Sequence, residues 1–64
     1  MSGDLLEYLS NAIEDERKVI SEDMSRGNAK TYEDYRHACG VIRGLNIAND
    51  IIFQMSKRME DFDE

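Results

Sequence analysis

The sequence predicts an all-α protein: an antiparallel helical hairpin that assembles into a homo-oligomeric helix bundle, a dimer or tetramer. Apolar residues recur at helical spacing in two long segments, one turn signal at residues 26–30 separates the segments, and no proline interrupts either. A core built from 64 residues gives only marginal stability. The single cysteine cannot form a disulfide within the chain, and the absence of a zinc-type cluster excludes stabilisation by a zinc site. We therefore expect further copies of the chain to complete the core.

Helix 1 is predicted over about residues 4–25, with Ser2 or Asp4 as its N-cap. A charged run at residues 14–18 interrupts its apolar pattern, so these side chains are expected either to be solvated or to meet partners. The apolar positions of this helix are Leu5, Leu6, Leu9, Ala12, Ile13, Val19, Ile20 and Met24.

The turn at residues 26–30 places Gly27 just past the end of helix 1, where a residue of positive φ is common. Thr31 then opens helix 2, with Asp34 three residues later in an arrangement close to a capping box. Helix 2 is predicted over about residues 31–60. Its heptad rows are Ala38, Leu45, Ile52 and Met59 in one position, and Val41, Ala48, Met55 and Phe62 in the other.

Helix 2 also carries apolar residues outside these heptad rows. Ile42 and Phe53 lie on one flank with Tyr35, and on the other flank Ile47 and Ile51 lie beside Gly40 and Gly44. A helix with apolar groups on several sides requires more than one neighbour, which again favours an oligomer.

The net charge of −6 argues against a general nucleic-acid binder, so no DNA partner is expected. Residues 26–43 nevertheless carry four basic side chains against two acidic ones, a net charge of +2 inside an acidic chain. Ordinary helix-surface charge and an anion site both explain this zone. The sequence predicts neither a signal peptide nor a membrane span, and a lone Cys39 fits a reducing cytoplasm.

Candidate binding residues lie on one stripe of helix 2. Tyr32, Arg36, Gly40 and Arg43 share it at 100° per residue. Gly40 and Gly44 each cost a helix interior about 1 kcal/mol relative to alanine. Two arrangements would account for that cost. One is a close helix crossing between subunits. The other is the approach of a ligand between the two arginines, which offer planar donors for phosphate.

Tyr32 and Tyr35 lie at the N-terminal end of helix 2, where an aromatic near an arginine suits the stacking of a nucleobase. A hydroxyl-capped edge of the core is the simpler interpretation, particularly for Tyr35. His37 and Cys39 have no partner at the spacing of a metal site or a nucleophile–base pair. We expect no enzyme, no cofactor and no metal site.

The second half of the chain resembles short helical proteins of tailed bacteriophages that share a G-x-I-x-G-L-x2-A-x2-I-I segment followed by an acidic end. The matching residues are Tyr32-x2-Tyr35-Arg36-x3-Gly40-x-Ile42-x-Gly44-Leu45-x2-Ala48-x2-Ile51-Ile52. Among such small phage proteins are the anti-CBASS sponges, oligomers that sequester cyclic dinucleotides such as cGAMP and so starve an antiviral effector of its signal.

The resemblance implies a non-enzymatic immune-evasion protein in the cytoplasm of the infected bacterial host, with a pocket for a cyclic dinucleotide or related cyclic oligonucleotide between subunits. The positions it carries over as contacts are Tyr32, Tyr35, Arg36, Gly40 and Arg43. The alternative is a small helical phage module that binds a host or virion protein through its Gly40/Gly44 face.

Overall fold

The computed structural model describes the backbone of residues 2–62 and the side chains of residues 4–59. Over this range the chain forms helix α1 (Ser2–Ser25) and helix α2 (Tyr32–Phe62), which pack against each other as a hairpin. The hairpin is slender, with extents of 50 × 15 × 11 Å. The all-α class and the hairpin predicted from the sequence are thus confirmed.

The helix bounds differ from the sequence prediction by two residues at the outer ends. Since α1 already begins at Ser2, Asp4 lies in its first turn, where a carboxylate stabilises the helix dipole, and does not act as a cap. Helix α2 continues to Phe62 because no proline or glycine ends it earlier. The rest of the expected acidic end, residues 63–64, lies outside the described residues.

A Schellman motif ends α1. Gly27 takes a φ of 79° and donates its N–H to the carbonyl oxygen of Met24 at 3.1 Å, while the N–H of Asn28 donates to the carbonyl oxygen of Asp23 at 3.0 Å. The motif satisfies two carbonyl groups that the helix would leave without partners. The predicted role of Gly27 is confirmed, and it depends on the absence of a Cβ.

The N-terminus of α2 is capped by Thr31. Its Oγ1 accepts a hydrogen bond from the N–H of Asp34 at 3.0 Å, and its carbonyl oxygen accepts one from the N–H of Tyr35 at 3.0 Å. This cap sets the first turn of α2 and thereby the angular positions of the tyrosines and arginines that follow.

Helix α1 turns one row of side chains, spaced alternately four and three residues apart, toward α2. The row is half-buried and contains Leu6, Ser10, Ile13, Arg17, Ile20 and Met24. Only four of the eight apolar positions predicted for helix 1 belong to it. Leu5, Leu9, Ala12 and Val19 are exposed, about a third of a turn around the helix.

On α2, the first predicted heptad row is half-buried along its described length, at Ala38, Leu45, Ile52 and Met59. The second row is only partly correct, since Met55 is 51% exposed and Ser56 is half-buried in its place. A straight α-helix drifts by about 20° per heptad, which turns Met55 out and brings Asn49 and Ser56 in. The side chain of Phe62 lies outside the described residues.

The hairpin has no enclosed core in its described part. Every side chain from residue 4 to residue 59 remains at least partly exposed. Two helices bury only the stripe along which they meet, and the remaining apolar side chains of both helices lie on the outside.

Candidate ligand-binding site

Four of the five predicted contact residues lie on the side of α2 that faces away from α1, and all five are exposed. Tyr32, Arg36 and Arg43 form a line along the helix, which we call the Tyr–Arg stripe, and Gly40 borders it. Tyr35 lies about 80° around the helix from that line, on the flank nearer α1. The structure therefore groups Tyr32, Arg36, Gly40 and Arg43 and separates Tyr35 from them.

Arg36 and Tyr32 form a cation–π pair, with the guanidinium carbon 5.9 Å from the centre of the ring. The two residues lie one turn apart on α2, so the helix itself sets their distance. Tyr32 is 73% exposed, so most of the residue remains accessible beside the guanidinium. The pair presents an aromatic plane and a phosphate-binding donor group side by side.

The electrostatic character of the stripe is basic. Among residues 4–59, Arg36 and Arg43 have no ion-pair partner, and the one ion pair in that range joins Glu14 to Arg17 on α1. The guanidinium N–H groups of the stripe are thus open to solvent and to an incoming anion.

Tyr35 interacts with Cys39 one turn further along α2. The neighbouring Cys39 side chain raises the pKa of the Tyr35 hydroxyl, chiefly through hydrogen bonding and then through its electrostatic effect, with smaller contributions from burial and from Tyr32. Tyr35 is therefore neutral at physiological pH and offers a hydroxyl, not a charge. Cys39 is a half-buried free thiol, and His37 is exposed.

Gly40 and Gly44 border open space. A Cβ built on either residue would meet no atom outside its own helical turn within 4 Å. The hairpin therefore gives no steric reason for glycine at these positions, although each glycine costs the helix about 1 kcal/mol relative to alanine. Beside them Ile47 is 50% exposed and Ile51 is 59% exposed. Bare backbone and large aliphatic side chains thus share the outward face of α2.

A polar network crosses the contact between the helices, so part of the charged run 14–18 meets partners, one of the two outcomes expected from the sequence, whereas the role of Asn49 was not predicted. Asn49 donates a hydrogen bond through Nδ2 to Oε1 of Glu14 at 3.0 Å, and the other carboxylate oxygen of Glu14 pairs with Arg17. Asn49 Oδ1 and Arg17 Nε are shielded from solvent and lack a hydrogen-bond partner. A usable signal was present, because Arg17 lies four residues after Ile13 and three before Ile20, in the facing row of α1.

This network borders an open groove on the side of the hairpin opposite to the glycines. The groove is lined by Glu14, Asp15, Arg17, Lys18, Ser21, Glu22 and Ile42. Its three carboxylates outnumber its two basic side chains, so the lining has a net charge of −1, which disfavours a phosphate. An anionic ligand is better accommodated by the Tyr–Arg stripe.

Within the described part of the chain, no group of three or more histidine, cysteine, aspartate or glutamate side chains could hold a metal ion. Neither described helix combines the length and the apolar character needed to cross a bilayer.

Comparison with known proteins identifies no relative of the chain. No family model, no curated protein and no solved structure matches the chain significantly.

Proposed function

We propose that the chain is a non-enzymatic phage immune-evasion protein that binds cyclic oligonucleotide second messengers, such as cGAMP, at subunit interfaces and so blocks CBASS-type antiviral signalling in the infected bacterial host. The supporting observation is the Arg36 guanidinium over the exposed Tyr32 ring, with Arg43 further along the same stripe. Cyclic oligonucleotides combine phosphates with flat bases, and this stripe offers a complementary group for each.

The proposed chemistry is affinity alone. Arg36 and Arg43 are two helical turns apart, about 10 Å along the axis, so they suit separate phosphate groups of one ligand or of two. The exposed ring of Tyr32 stacks a base, a contact worth about 1–3 kcal/mol. Tyr35, on the neighbouring flank, donates its hydroxyl only to a ligand large enough to reach around the helix.

The proposed active form is a homo-oligomer. Every described side chain of the hairpin is at least partly exposed, and Ile47 and Ile51 lie on its outer face. Burial of such side chains stabilises a protein by about 25 cal/mol per Å² of apolar area removed from water. A single hairpin leaves these side chains exposed and does not gain this stabilisation. Packing of copies through this face would cover it and place the neighbouring stripe at a subunit boundary.

Isothermal titration with a panel of cyclic dinucleotides and trinucleotides tests the ligand. Arg36→Ala and Arg43→Ala are each expected to weaken binding by about 10- to 100-fold, since a hydrogen bond to a charged group contributes about 1.5–3 kcal/mol. Arg26→Ala is the matched control, because it removes one exposed positive charge at the turn, away from the stripe. Absence of heat with every nucleotide at tens of micromolar protein would exclude this function.

The second candidate function is a module that binds a host or virion protein through its Gly40/Gly44 face. The exposed Ile47 and Ile51 beside those glycines favour it, because a helix with bare backbone and aliphatic side chains can dock closely against another. A pull-down from infected cells that recovers one stoichiometric partner, together with no nucleotide released on heating, would favour this module over the sponge.

A further inference from the structure

The outward face of α2 carries a row of eight exposed residues spaced alternately four and three positions apart. We call it the outer row. It runs about 130° around the helix from the row that faces α1, and it spans most of the length of α2. Its members are Glu33, His37, Gly40, Gly44, Ile47, Ile51, Gln54 and Arg58.

The centre of this row is complementary in size to its own reversed copy. When a second α2 lies antiparallel and the midpoint falls between positions 45 and 46, Gly40 faces Ile51 of the other copy and Gly44 faces Ile47. Each isoleucine then projects toward backbone that carries no Cβ. The structure leaves open space at both glycines, so the isoleucines of a second copy fit there without displacing other side chains.

The ends of the row are complementary in charge in the same register. Glu33 faces Arg58 of the other copy, and His37 faces Gln54, a pair that can share a hydrogen bond. Two-fold symmetry makes each pair occur twice. In a parallel arrangement Glu33 would face Glu33 and Arg58 would face Arg58, so like charges would meet. Each isoleucine would face another isoleucine, and the space between the facing glycines would stay empty.

We propose that α2 pairs with α2 of a second copy through the outer row, antiparallel, with the two-fold axis between Leu45 and Asn46. The partner is a second copy of this chain, because in this register the central pairs are complementary in size and the outer pairs are complementary in charge or hydrogen bonding. This inference rests on the oligomeric form proposed above but not on the identity of the ligand.

The register has a consequence for the proposed ligand site. The two Arg43 residues lie five residues apart across the axis, about 7.5 Å along the helices and on the same side of the pair. The two Arg36 residues are about 28 Å apart. An anion that bridges the two Arg43 side chains relieves their repulsion and binds once per pair, whereas a ligand held at Tyr32 and Arg36 binds twice per pair.

Disulfide formation tests the register. In a Cys39→Ser background, His37→Cys and Gln54→Cys proteins are mixed without nucleotide and oxidised mildly, and the products are identified by mass. The expected product is the mixed 37–54 disulfide in large excess over the two symmetric ones. The matched control replaces Gln54→Cys with Lys57→Cys, an exposed position off the outer row, and is expected to show no such excess. Random proportions, or an excess of the symmetric 37–37 product, would overturn the proposal.

Charge exchange at the ends of the row is a second test, free of new thiols. Glu33→Arg places two arginines together at each end, so the dissociation constant of the pair, measured by sedimentation equilibrium, should rise about tenfold. The doubly changed Glu33→Arg/Arg58→Glu protein should recover the original value. No recovery, or a chain that is monomeric throughout, would overturn the pairing. Since both tests omit nucleotide, their failure is distinct from a failure of the nucleotide titration.

Discussion

Replacement of both outward glycines by alanine should change folding and assembly in opposite directions. Within the hairpin a Cβ at Gly40 or Gly44 meets open space, so only helix propensity changes. Each replacement stabilises the helix by about 1 kcal/mol, and together they contribute about 2 kcal/mol, roughly a 30-fold shift of the hairpin toward the folded state. In the assembled pair the new methyl groups occupy the space of Ile51 and Ile47, so association should weaken.

Two measurements on the Gly40→Ala/Gly44→Ala protein separate these effects. Thermal unfolding at low concentration should show a higher midpoint than the original chain, whereas the increase of the midpoint with protein concentration should become smaller because assembly contributes less. The control is Asn46→Ala, an exposed change off the outer row that also raises helix propensity but adds no bulk facing the second copy. Association equal to or tighter than that of the original chain would refute the close approach of another helix at the glycines.

Three further predictions concern the hairpin itself. Gly27→Ala should destabilise it by about 1 kcal/mol in urea unfolding, because a φ of 79° strains an L-residue, and an unchanged midpoint would contradict this. Asn49→Leu should leave the free energy of unfolding unchanged or raise it by about 1 kcal/mol. Asn49→Asp should lower it, because a second carboxylate then lies beside Glu14. Equal effects of the two substitutions would contradict the hydrogen bond at that site. The pKa of Tyr35 is raised in the folded chain, so its protonated hydroxyl contributes stability below the ordinary tyrosine pKa of 10.0, and this contribution is lost as the pH rises through the folded pKa. NMR titration of the tyrosines should show the raised pKa of Tyr35 and a smaller shift in Cys39→Ala. An unshifted Tyr35 would contradict this prediction.

The features predicted best from the sequence are those that depend on neighbouring residues. Gly27 was placed correctly because only a residue without a Cβ tolerates positive φ, and Thr31 because its hydroxyl caps the next turn. Both effects act within five residues of the chain, so they are readable without knowledge of the fold.

The features predicted less well depend on how a long helix meets its neighbour. Met55 was assigned to the contact and is exposed, since small angular errors accumulate over two heptads. The charged run 14–18 was expected to be either solvated or partnered, and the sequence did not decide between these; Arg17 lies in the facing row, where Glu14 pairs with it. The ligand role of Tyr32 and Arg36 stays a prediction, because a favourable surface becomes a site only through the molecule that binds it.

The proposed pairing, together with the exposure of every described side chain, would link the abundance of this protein to its folding. If copies pair as proposed, association adds stability that a single hairpin lacks, so the folded fraction rises with protein concentration. Under this proposal, chains whose concentration is below the dissociation constant are open to proteolysis, and they become resistant once their concentration exceeds it. The proposed pairing therefore predicts a concentration threshold for accumulation: the chain is degraded when scarce and accumulates when it is expressed in bulk.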